Sequence, residues 1–425
     1  MASKKFDLVI FGATGFTGQY VVDEVSRVEQ QITWAIAGRN MAKLQKVLQE
    51  ASSRTGKNLE EIPIIIADTS SKPSLDDMAK QARVVLNCVG PYRFYGEPVV
   101  KACIEHGAHH LDISGEPQYL ETMQLLYDKK AKENNVLVIG AAGFDSIPAE
   151  AGVMYLQDKF EKGRLTGIES YLSMQHGPQG VGINFATYES AVHGISHAKE
   201  LISLRKSLYS EPMPKVENKL PKRPKLFFSE EVKKWCLPFM GSDKSVVYRT
   251  IRNHLASGVM KSPVEFFPYI CLPSYFSAIK FILFGLIFNF MSQFSFGRWL
   301  LLKFPQLFTL GYVRKGGPTK AQINSTTFTM TFVGHGFDST ESTTASEKPN
   351  RQVTVRLTAP EPGYVTTSTC LVQCALIILK ESGSMRHSSG VLTPGAAFFG
   401  TSLLQRLCQL NIKIETVSDS VDAKP

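Results

Sequence analysis

The first 150 residues alternate short apolar runs with segments in which apolar residues recur at helical spacing. Residues 6–11 (FDLVIF) are apolar and end in a glycine cluster, and Tyr20, Val21, Val25 and Val28 then follow a helical period. This pattern predicts a buried strand followed by a helix. The same alternation predicts further strands at residues 32–37, 62–68, 84–90, 110–114 and 136–140. Strands that are apolar on both faces and alternate with helices form parallel sheets, so we expect a doubly wound α/β domain over residues 1–150.

After Gly143 the pattern changes to a strict alternation of apolar and polar residues. Phe328, Met330 and Phe332 would point to one side of a strand, with threonines pointing to the other. Residues 168–174 and 351–358 alternate in the same way, which indicates an antiparallel sheet with one covered face. We therefore expect an inserted α+β domain over residues 151–384, for substrate binding or dimerisation. We expect residues 385–425, with a helix at 398–410 and a strand at 412–417, to return to the edge of the first sheet.

Residues 266–308 form the densest apolar and aromatic segment of the chain. The uninterrupted apolar run, residues 281–288, is too short for a bilayer span of about 20 residues, and Pro273 and Lys280 interrupt the longer segment. Lys261, Arg298 and Lys303 flank the aromatic residues. This composition favours a helix or hairpin that lies on a membrane or lipid-droplet surface with its cations near phosphates. A hydrophobic core helix, or an oligomer interface in a homodimer, is the alternative.

The charge distribution supports an anionic partner for the middle of the chain. The formal net charge is +9, and residues 199–320 hold 20 Lys and Arg against 7 Asp and Glu. We do not expect nucleic-acid binding, because these cations are interleaved with apolar residues instead of being arrayed on a polar face. The seven cysteines include no CxxC pair, which argues against a zinc site or a disulfide framework and favours a cytosol-facing location. We expect His106, His109 and His110 to be solvated, with no metal site.

The segment that joins the first strand to the first helix carries the clearest chemical motif. Residues 12–18 read GATGFTG, in the strand–turn–helix context that dinucleotide binding requires. Glycines there permit the tight turn, let the backbone approach the pyrophosphate and allow the helix to pack on the strand. The free amides of the helix N-terminus then face the diphosphate, as in a Rossmann domain. The expected cofactor-binding residues of this segment are Gly12, Thr14, Gly15, Phe16, Thr17 and Gly18.

The end of the second strand predicts which dinucleotide is bound. NAD sites usually carry a carboxylate here for the ribose 2′-hydroxyl, whereas this chain has Arg39, with Lys43 one turn later. A guanidinium can hold a 2′-phosphate with two hydrogen bonds, so we expect NADP(H) to be the cofactor. The alternative is a surface arginine beside the site. Asp68, after the third strand, would contact the adenine or cap a helix.

The loops after the later strands of the first sheet should converge on the nicotinamide, because ligands lie at the carboxyl ends of parallel strands. Val89, Gly90 and Pro91 follow the fourth strand and are expected to line the cofactor. The catalytic group cannot be identified from the sequence, and the candidates are Tyr92, Ser114 and Asp145. Asp145 could instead cap the next helix.

Several segments together resemble the saccharopine dehydrogenase family, most closely its animal, dehydrogenase-like branch. The resemblance covers nearly the whole chain and implies a Rossmann domain, an inserted α+β domain and, for the animal branch, association with lipid droplets. Related bacterial members are enoyl reductases of lipid and glycolipid synthesis. The segments are GATGFTG (12–18), AGRN (37–40), NCVGPYRFYGEPVVKAC (87–103), HHLDISGEP (109–117), GAAGFDSIPAEAG (140–152) and GVLTPGAAF (390–398).

Two hypotheses for function follow from these features. In the first, the protein is an NADP(H)-dependent oxidoreductase that acts at a lipid surface on a small lipid-related substrate. A saccharopine substrate would need several arginines for its carboxylates, and the sequence indicates no such cluster, while the aromatic insertion is foreign to those enzymes. In the second, the protein is a catalytically silent scaffold or sensor that retains the nucleotide-binding fold. Both hypotheses place it on lipid droplets or on the cytosolic face of membranes.

Overall fold

The structure is a computed structural model that describes residues 4–339 and 348–421. Strands and helices alternate regularly up to residue 159 and less regularly beyond it. The strands are β1 (Phe6–Phe11), β2 (Trp34–Gly38), β3 (Ile64–Ile66), β4 (Ala82–Asn87), β5 (His109–Asp112), β6 (Leu137–Ile139), β7 (Arg164–Gln175), β8 (Ile183–Asn184), β9 (Phe227–Ser229), β10 (Lys234–Pro238), β11 (Glu265–Leu272), β12 (Val313–Arg314), β13 (Thr327–Phe337), β14 (Arg351–Pro360), β15 (Gly390–Leu392) and β16 (Lys413–Val421). The helices are α1 (Phe16–Arg27), α2 (Met41–Thr55), α3 (Lys72–Gln81), α4 (Tyr92–Glu105), α5 (Pro117–Glu133), α6 (Ile147–Lys159), α7 (Phe185–Ser196), α8 (Glu200–Leu208), α9 (Asp243–Ala256), α10 (Tyr275–Ser292), α11 (Ser295–Lys303), α12 (Pro305–Phe308), α13 (Lys320–Asn324), α14 (Thr367–Lys380), α15 (Pro394–Phe398) and α16 (Leu403–Gln409).

The first sheet is parallel throughout and, within the described residues, has the strand order β15-β6-β5-β4-β1-β2-β3. Across the sheet, the strands β1 to β6 lie in the order 3-2-1-4-5-6, which is the order of dinucleotide-binding domains. Consecutive residues of β1 are buried on opposite faces, since Leu8 and Val9 are both inaccessible to solvent. The prediction of a doubly wound parallel sheet is therefore confirmed.

The second sheet has the strand order β16-β14-β13-β7-β11-β10-β9 among the described residues. Strand β13 shows the predicted alternation, because Phe328 and Met330 are buried while Thr327 is exposed. The sheet is mixed and not wholly antiparallel as predicted, because β7 and β11 pair in parallel. A parallel pair needs a long crossover connection, and residues 176–264 between these strands supply one.

The C-terminal segment divides between the two sheets, which corrects the expectation that residues 385–425 return to the first. Strand β15 lies at the edge of the first sheet beside β6, whereas β16 pairs with β14 in the second sheet. The burial of each strand explains the difference. All residues of β15 are buried, as a doubly covered sheet requires, while β16 is almost entirely exposed and suits a solvated edge. The helix expected at 398–410 is two short helices, separated around Gly400, whose φ is +81°.

The two sheets share one hydrophobic core instead of having separate ones. Leu8 and Ile10 of the first sheet belong to the same buried cluster as Phe328 and Phe332 of the second. Helix α14 connects the two sheets and is buried along nearly its whole length, including Cys370 and Cys374. The inserted domain therefore packs directly against the first domain.

The apolar segment 266–308 has two parts with different roles. Its first part belongs to β11, a strand of the second sheet that pairs with β7 and β10, so the prediction of a surface insertion is wrong for these residues. The second part forms α10, α11 and α12. Within residues 4–339 and 348–421, two helices are long and apolar enough to cross a membrane by length and composition alone. One is the segment 362–380, which includes α14; 89% of its apolar window is buried, so it belongs to the core. The other is α10, of which only 17% is buried.

Candidate cofactor and active site

The glycine-rich loop has the shape that a dinucleotide phosphate site needs. Gly12 has a φ of +86°, and a Cβ added there would lie 2.7 Å from Cγ2 of Val89. A Cβ on Gly18 would lie 2.2 Å from the carbonyl oxygen of Gly12, so only glycine lets α1 approach the turn this closely. Within the described residues no side-chain hydrogen bond caps α1 at Gly15. Its first amides are therefore available to an anion, and the loop fits the diphosphate of a dinucleotide.

Phe16 connects this loop to the second domain. Its ring packs edge-on against Tyr364 with a centroid distance of 4.5 Å, and it also contacts Tyr20 at 5.9 Å. Thr14 and Thr17 are partly exposed beside the loop. The sequence predicts Phe16 as a cofactor contact but gives no indication of its aromatic partner, which lies more than three hundred residues away.

Two cations stand at the N-terminus of α2, where the adenosine end of the cofactor is expected. The Arg39 side chain is 78% exposed, and Lys43 is exposed one turn later. Asp68 lies 4.0 Å from the Arg39 guanidinium, but one of its carboxylate oxygens accepts hydrogen bonds from the amide and hydroxyl of Ser70. These two hydrogen bonds hold the pKa of Asp68 below its usual value. The Arg39 guanidinium thus remains accessible to a phosphate.

The loop after β4 is held by hydrogen bonds from buried neighbours. The Val89 amide donates to Oδ1 of Asn87 (3.1 Å), and the Gly90–Pro91 peptide is cis. Tyr92 is buried, and its hydroxyl donates to the Asn87 carbonyl at 2.8 Å. The Tyr92 hydroxyl is therefore occupied in positioning the loop.

Glu116 ties the loop after β5 to the loop after β4. Its carboxylate accepts hydrogen bonds from the amides of Tyr92 (2.8 Å) and Arg93 (3.2 Å) and from the Ser190 hydroxyl of α7 (3.2 Å). Ser114 is completely buried, and its hydroxyl oxygen accepts the Glu116 amide at 3.2 Å. Ser114, like Tyr92, has a structural role in this geometry, and Glu116 is a site residue that the sequence reasoning missed.

Asp145 differs from the other two catalytic candidates because no hydrogen bond reaches its carboxyl group from any described residue. The carboxyl lies against the backbone of Gly115, since a Cβ added there would be 2.6 Å from Oδ2 of Asp145. Burial, with a contribution from Glu116, raises its pKa to about 6. In the described part of the chain no side chain caps α6, so the alternative role of Asp145 as a helix cap is not observed. The Ser242 hydroxyl fixes this loop by donating to the Asp145 carbonyl at 2.6 Å.

His110 of β5 is buried and His109 is partly buried, which corrects the expectation of solvated side chains. His110 is inaccessible to solvent, and burial lowers its pKa to about 3. His109 accepts the Leu137 amide at Nδ1 (3.0 Å), and burial lowers its pKa to about 4. Alternation along the strand places the two rings on opposite faces of a sheet that is covered on both sides.

One group of potential metal ligands lies away from this site, on the far side of α3 and α4. Asp76, Glu105 and His106 present ligand atoms within 4.8 Å of one another. The Lys72 ammonium lies 2.7 Å from Asp76 and 3.1 Å from Glu105. A cation of the chain itself thus already neutralises these carboxylates.

Helix α7 of the second domain lies across the carboxyl ends of β4 and β5. Besides the Ser190 contact, the Gln118 amide donates to the Gly194 carbonyl at 3.0 Å. The opposite side of α7 packs on α10, where the rings of Tyr188 and Phe288 are 5.5 Å apart. A single helix therefore separates the loops of the site from α10.

A parallel sheet in dinucleotide-binding order, an uncapped glycine-rich helix N-terminus and polar groups at the strand ends define the class of dinucleotide-dependent oxidoreductases. The saccharopine dehydrogenase NADP binding domain family matches residues 8–139. The human saccharopine dehydrogenase-like oxidoreductase is 45% identical, with 98% of each chain covered. The chain belongs to the saccharopine dehydrogenase-like oxidoreductases, and its cofactor is NADP(H).

Two further comparisons concern a relative in sequence and a similar fold. The lipid droplet localized protein of Caenorhabditis elegans is 36% identical, over 98% of this chain and 99% of the relative. Apo saccharopine dehydrogenase (L-Glu forming) from Saccharomyces cerevisiae superposes with a TM-score of 0.57 at 12% identity, over 97% of this chain and all of the other, which shows a shared fold. The assignment of individual cofactor contacts stays a prediction.

Proposed function

We propose that the protein reduces or oxidises a lipid-related substrate with NADP(H) while it is bound to the surface of a lipid droplet or membrane. The observation that supports this proposal best is the apolar face of α10–α12, which is exposed on the outside of the molecule one helix away from the loops of the site. The name of the Caenorhabditis elegans relative supports the droplet location.

The apolar face of α10–α12 comprises large side chains that a protein in water normally buries. Phe276 is 77% exposed, Phe290 69% and Leu307 71%. Burying one such side chain contributes about 1.5–3 kcal/mol, so only a few inserted residues would suffice for stable attachment. Other residues of this face that are more than a third exposed are Tyr275, Phe281, Leu283, Phe284, Leu286, Ile287, Phe294, Phe296, Trp299 and Phe304.

The charges around this face suit an anionic lipid surface. No Asp or Glu occurs in the sequence between Glu265 and Asp338. Lys280, Arg298 and Lys303 lie within the apolar helices. Each basic residue near an anionic leaflet contributes about 1 kcal/mol of attraction, and the absence of nearby acids in the sequence avoids repulsion.

The anchoring of α10 favours attachment along the surface over insertion across it. Phe288, Ala278 and Ser292 are buried against the rest of the domain, while the opposite side of the helix is exposed. A helix fixed in this way can lay its free face into the boundary of a lipid layer. The short distance from α10 through α7 to the strand ends would bring a lipid substrate close to the cofactor.

The chemistry that we propose uses Asp145 as the proton donor or acceptor. NADP(H) supplies or accepts the hydride when it is bound. Tyr92 and Ser114 are occupied by structural hydrogen bonds, whereas the Asp145 carboxyl is not. A carboxyl with a pKa of about 6 can exchange a proton near neutral pH, which suits general acid–base catalysis. The loop fixed by Ser242 would hold this group beside Gly115.

Flotation with phospholipid-coated triolein droplets tests the lipid-surface proposal. We expect the full chain to float with the droplets and the double variant Phe276→Ser/Phe290→Ser to bind at least tenfold less, because two exposed rings no longer insert. Ile202→Ser is the matched control, since Ile202 is 65% exposed on α8, outside this face. Equal flotation of all three proteins would contradict the proposal.

Size-exclusion chromatography distinguishes a lipid surface from a second copy of the chain. If the wild type is a dimer that Phe276→Ser/Phe290→Ser converts to a monomer, the face is an oligomer interface and the lipid-surface proposal fails. Deletion of residues 268–294 is a poorer test, because it removes most of β11 from the second sheet.

A further inference from the structure

A short basic segment of the second domain lies against the glycine-rich loop. We call residues 314–317 (RKGG) the strap. A Cβ added to Gly317 would lie 2.8 Å from Cε2 of Phe16, the residue directly after Gly15. Gly317 has a φ of +71° and is buried. The strap therefore touches the first domain at the residue that opens α1.

The strap is held in this place from both ends. Val313 and Arg314 pair with Ile183 and Asn184 in the two-stranded sheet of β12 and β8. The Gly317 amide closes a turn by donating to the Arg314 carbonyl at 3.1 Å. Pro318, which follows the strap, is buried. This fixed geometry presents the strap beside the loop without a need for large motion.

The strap carries two cations to a place where the first domain has none. Arg314 and Lys315 are exposed, and among the described residues neither forms an ion pair within 4.0 Å. The Lys315 ammonium is 5.9 Å from the ring centroid of Phe185, a weak cation–π distance. The glycine-rich loop itself, residues 12–18, contains no Lys or Arg. The two negative charges of a diphosphate at α1 would thus lack a cationic partner from that loop.

We propose that the strap is a cofactor-binding element supplied by the second domain, in which Lys315 contacts the diphosphate of NADP(H). Lys315 stands two residues before Gly317, and a lysine side chain is long enough to reach the opening of α1 from there. A flexible ammonium suits a phosphate that already receives backbone amides. The phosphate site is then complete only when both domains contribute.

Isothermal titration of the full chain with NADP+ and with NAD+ tests this role. We expect Lys315→Ala to weaken the binding of both nucleotides by a similar factor of about ten, because both carry the diphosphate. Arg39→Ala is the internal comparison and should weaken NADP+ alone, because only NADP+ has the 2′-phosphate. Lys320→Ala is the matched control, since this lysine is also exposed but lies beyond the strap.

A second variant tests the position of the strap separately from its charge. In Gly317→Ala the added methyl group meets the Phe16 ring, and the positive φ becomes strained, so we expect weaker binding of both nucleotides with an unchanged circular dichroism spectrum. The inference is overturned if Lys315→Ala binds both nucleotides as tightly as Lys320→Ala does. Loss of NADP+ binding alone would also overturn it, since Lys315 would then serve the 2′-phosphate.

Discussion

Arg39 illustrates how much a single residue can predict about the cofactor. The sequence predicts NADP(H) because a guanidinium replaces the carboxylate of NAD sites, and the family match supports that cofactor. The structure adds that Asp68, although 4.0 Å away, is engaged by Ser70. Ser70 binds the other carboxylate oxygen of Asp68, and at the start of α2 the Arg39 side chain is 78% exposed and Lys43 is exposed as well.

The partly buried Asp145 gives a pH dependence whose sign is fixed by the direction of its pKa shift. Its folded-state pKa of about 6 lies above the ordinary value of 3.8, so folding favours the protonated form. Its contribution to stability is present below about pH 4 and is lost as the pH rises through 6. We expect Asp145→Asn to stabilise the fold relative to the wild type at pH 8, by about 1 kcal/mol more than at pH 5. Urea denaturation at both pH values measures this, and an equal difference at both would contradict the assignment.

The buried partners of the site could not be predicted from the residues alone. Glu116 lies in a segment that the sequence analysis singles out, HLDISGEP, but its contacts are with amides at residues 92 and 93 and with Ser190. A sequence shows the type of a residue and its neighbours along the chain, whereas these roles depend on which loops meet at the strand ends. Glycines are easier to interpret, because the phosphate-binding turn restricts the backbone locally.

At the scale of the elements, apolar runs located the first six strands of the first sheet correctly but were ambiguous at residues 266–308. A short apolar run fits a buried strand, a core helix or a lipid-facing segment equally well by periodicity. The neighbours of β11 in the second sheet decide its role, and those pairings span up to a hundred residues. Strand β15 could not be predicted for another reason: it has three residues, which is too short to show a period.

Helix α6 offers a direct test of the close packing between the elements. A Cβ on Gly152 would lie 2.2 Å from the Phe332 ring of β13, so we expect Gly152→Ala to lower the free energy of unfolding by about 1–3 kcal/mol through overpacking. Gly285 of α10 is the matched control, because a Cβ there meets no atom within 4 Å. Gly285→Ala should stabilise the protein by about 0.5–1 kcal/mol through helix propensity. Chemical denaturation measures both, and equal effects would contradict the packing described for α6.

At the scale of the whole molecule, helix α7 lies between the loops of the site and the apolar helix α10. The cofactor loops lie at the carboxyl end of the first sheet, α7 covers them, and α10 lies on the outer side of α7. Residues of α10 and α11 pack with α7 in a buried cluster of their own, which contains Tyr188, Phe288 and Leu301. Helix α7 in turn contacts the loops of the site through Ser190. The exposed aromatic residues of α10–α12 therefore lie next to α7, the helix that covers the loops of the cofactor site.

The central claim is that this protein exchanges a hydride between NADP(H) and a lipid, and isotope transfer tests it most directly. The protein is incubated with lipid droplets and with NADPH deuterated at both positions of nicotinamide C4, and the extracted lipids are examined by mass spectrometry. We expect the wild type to place deuterium in a lipid, and Asp145→Asn to do so at least tenfold more slowly. If NADPH binds normally but no lipid acquires deuterium, the enzymatic account is contradicted and the silent scaffold is favoured.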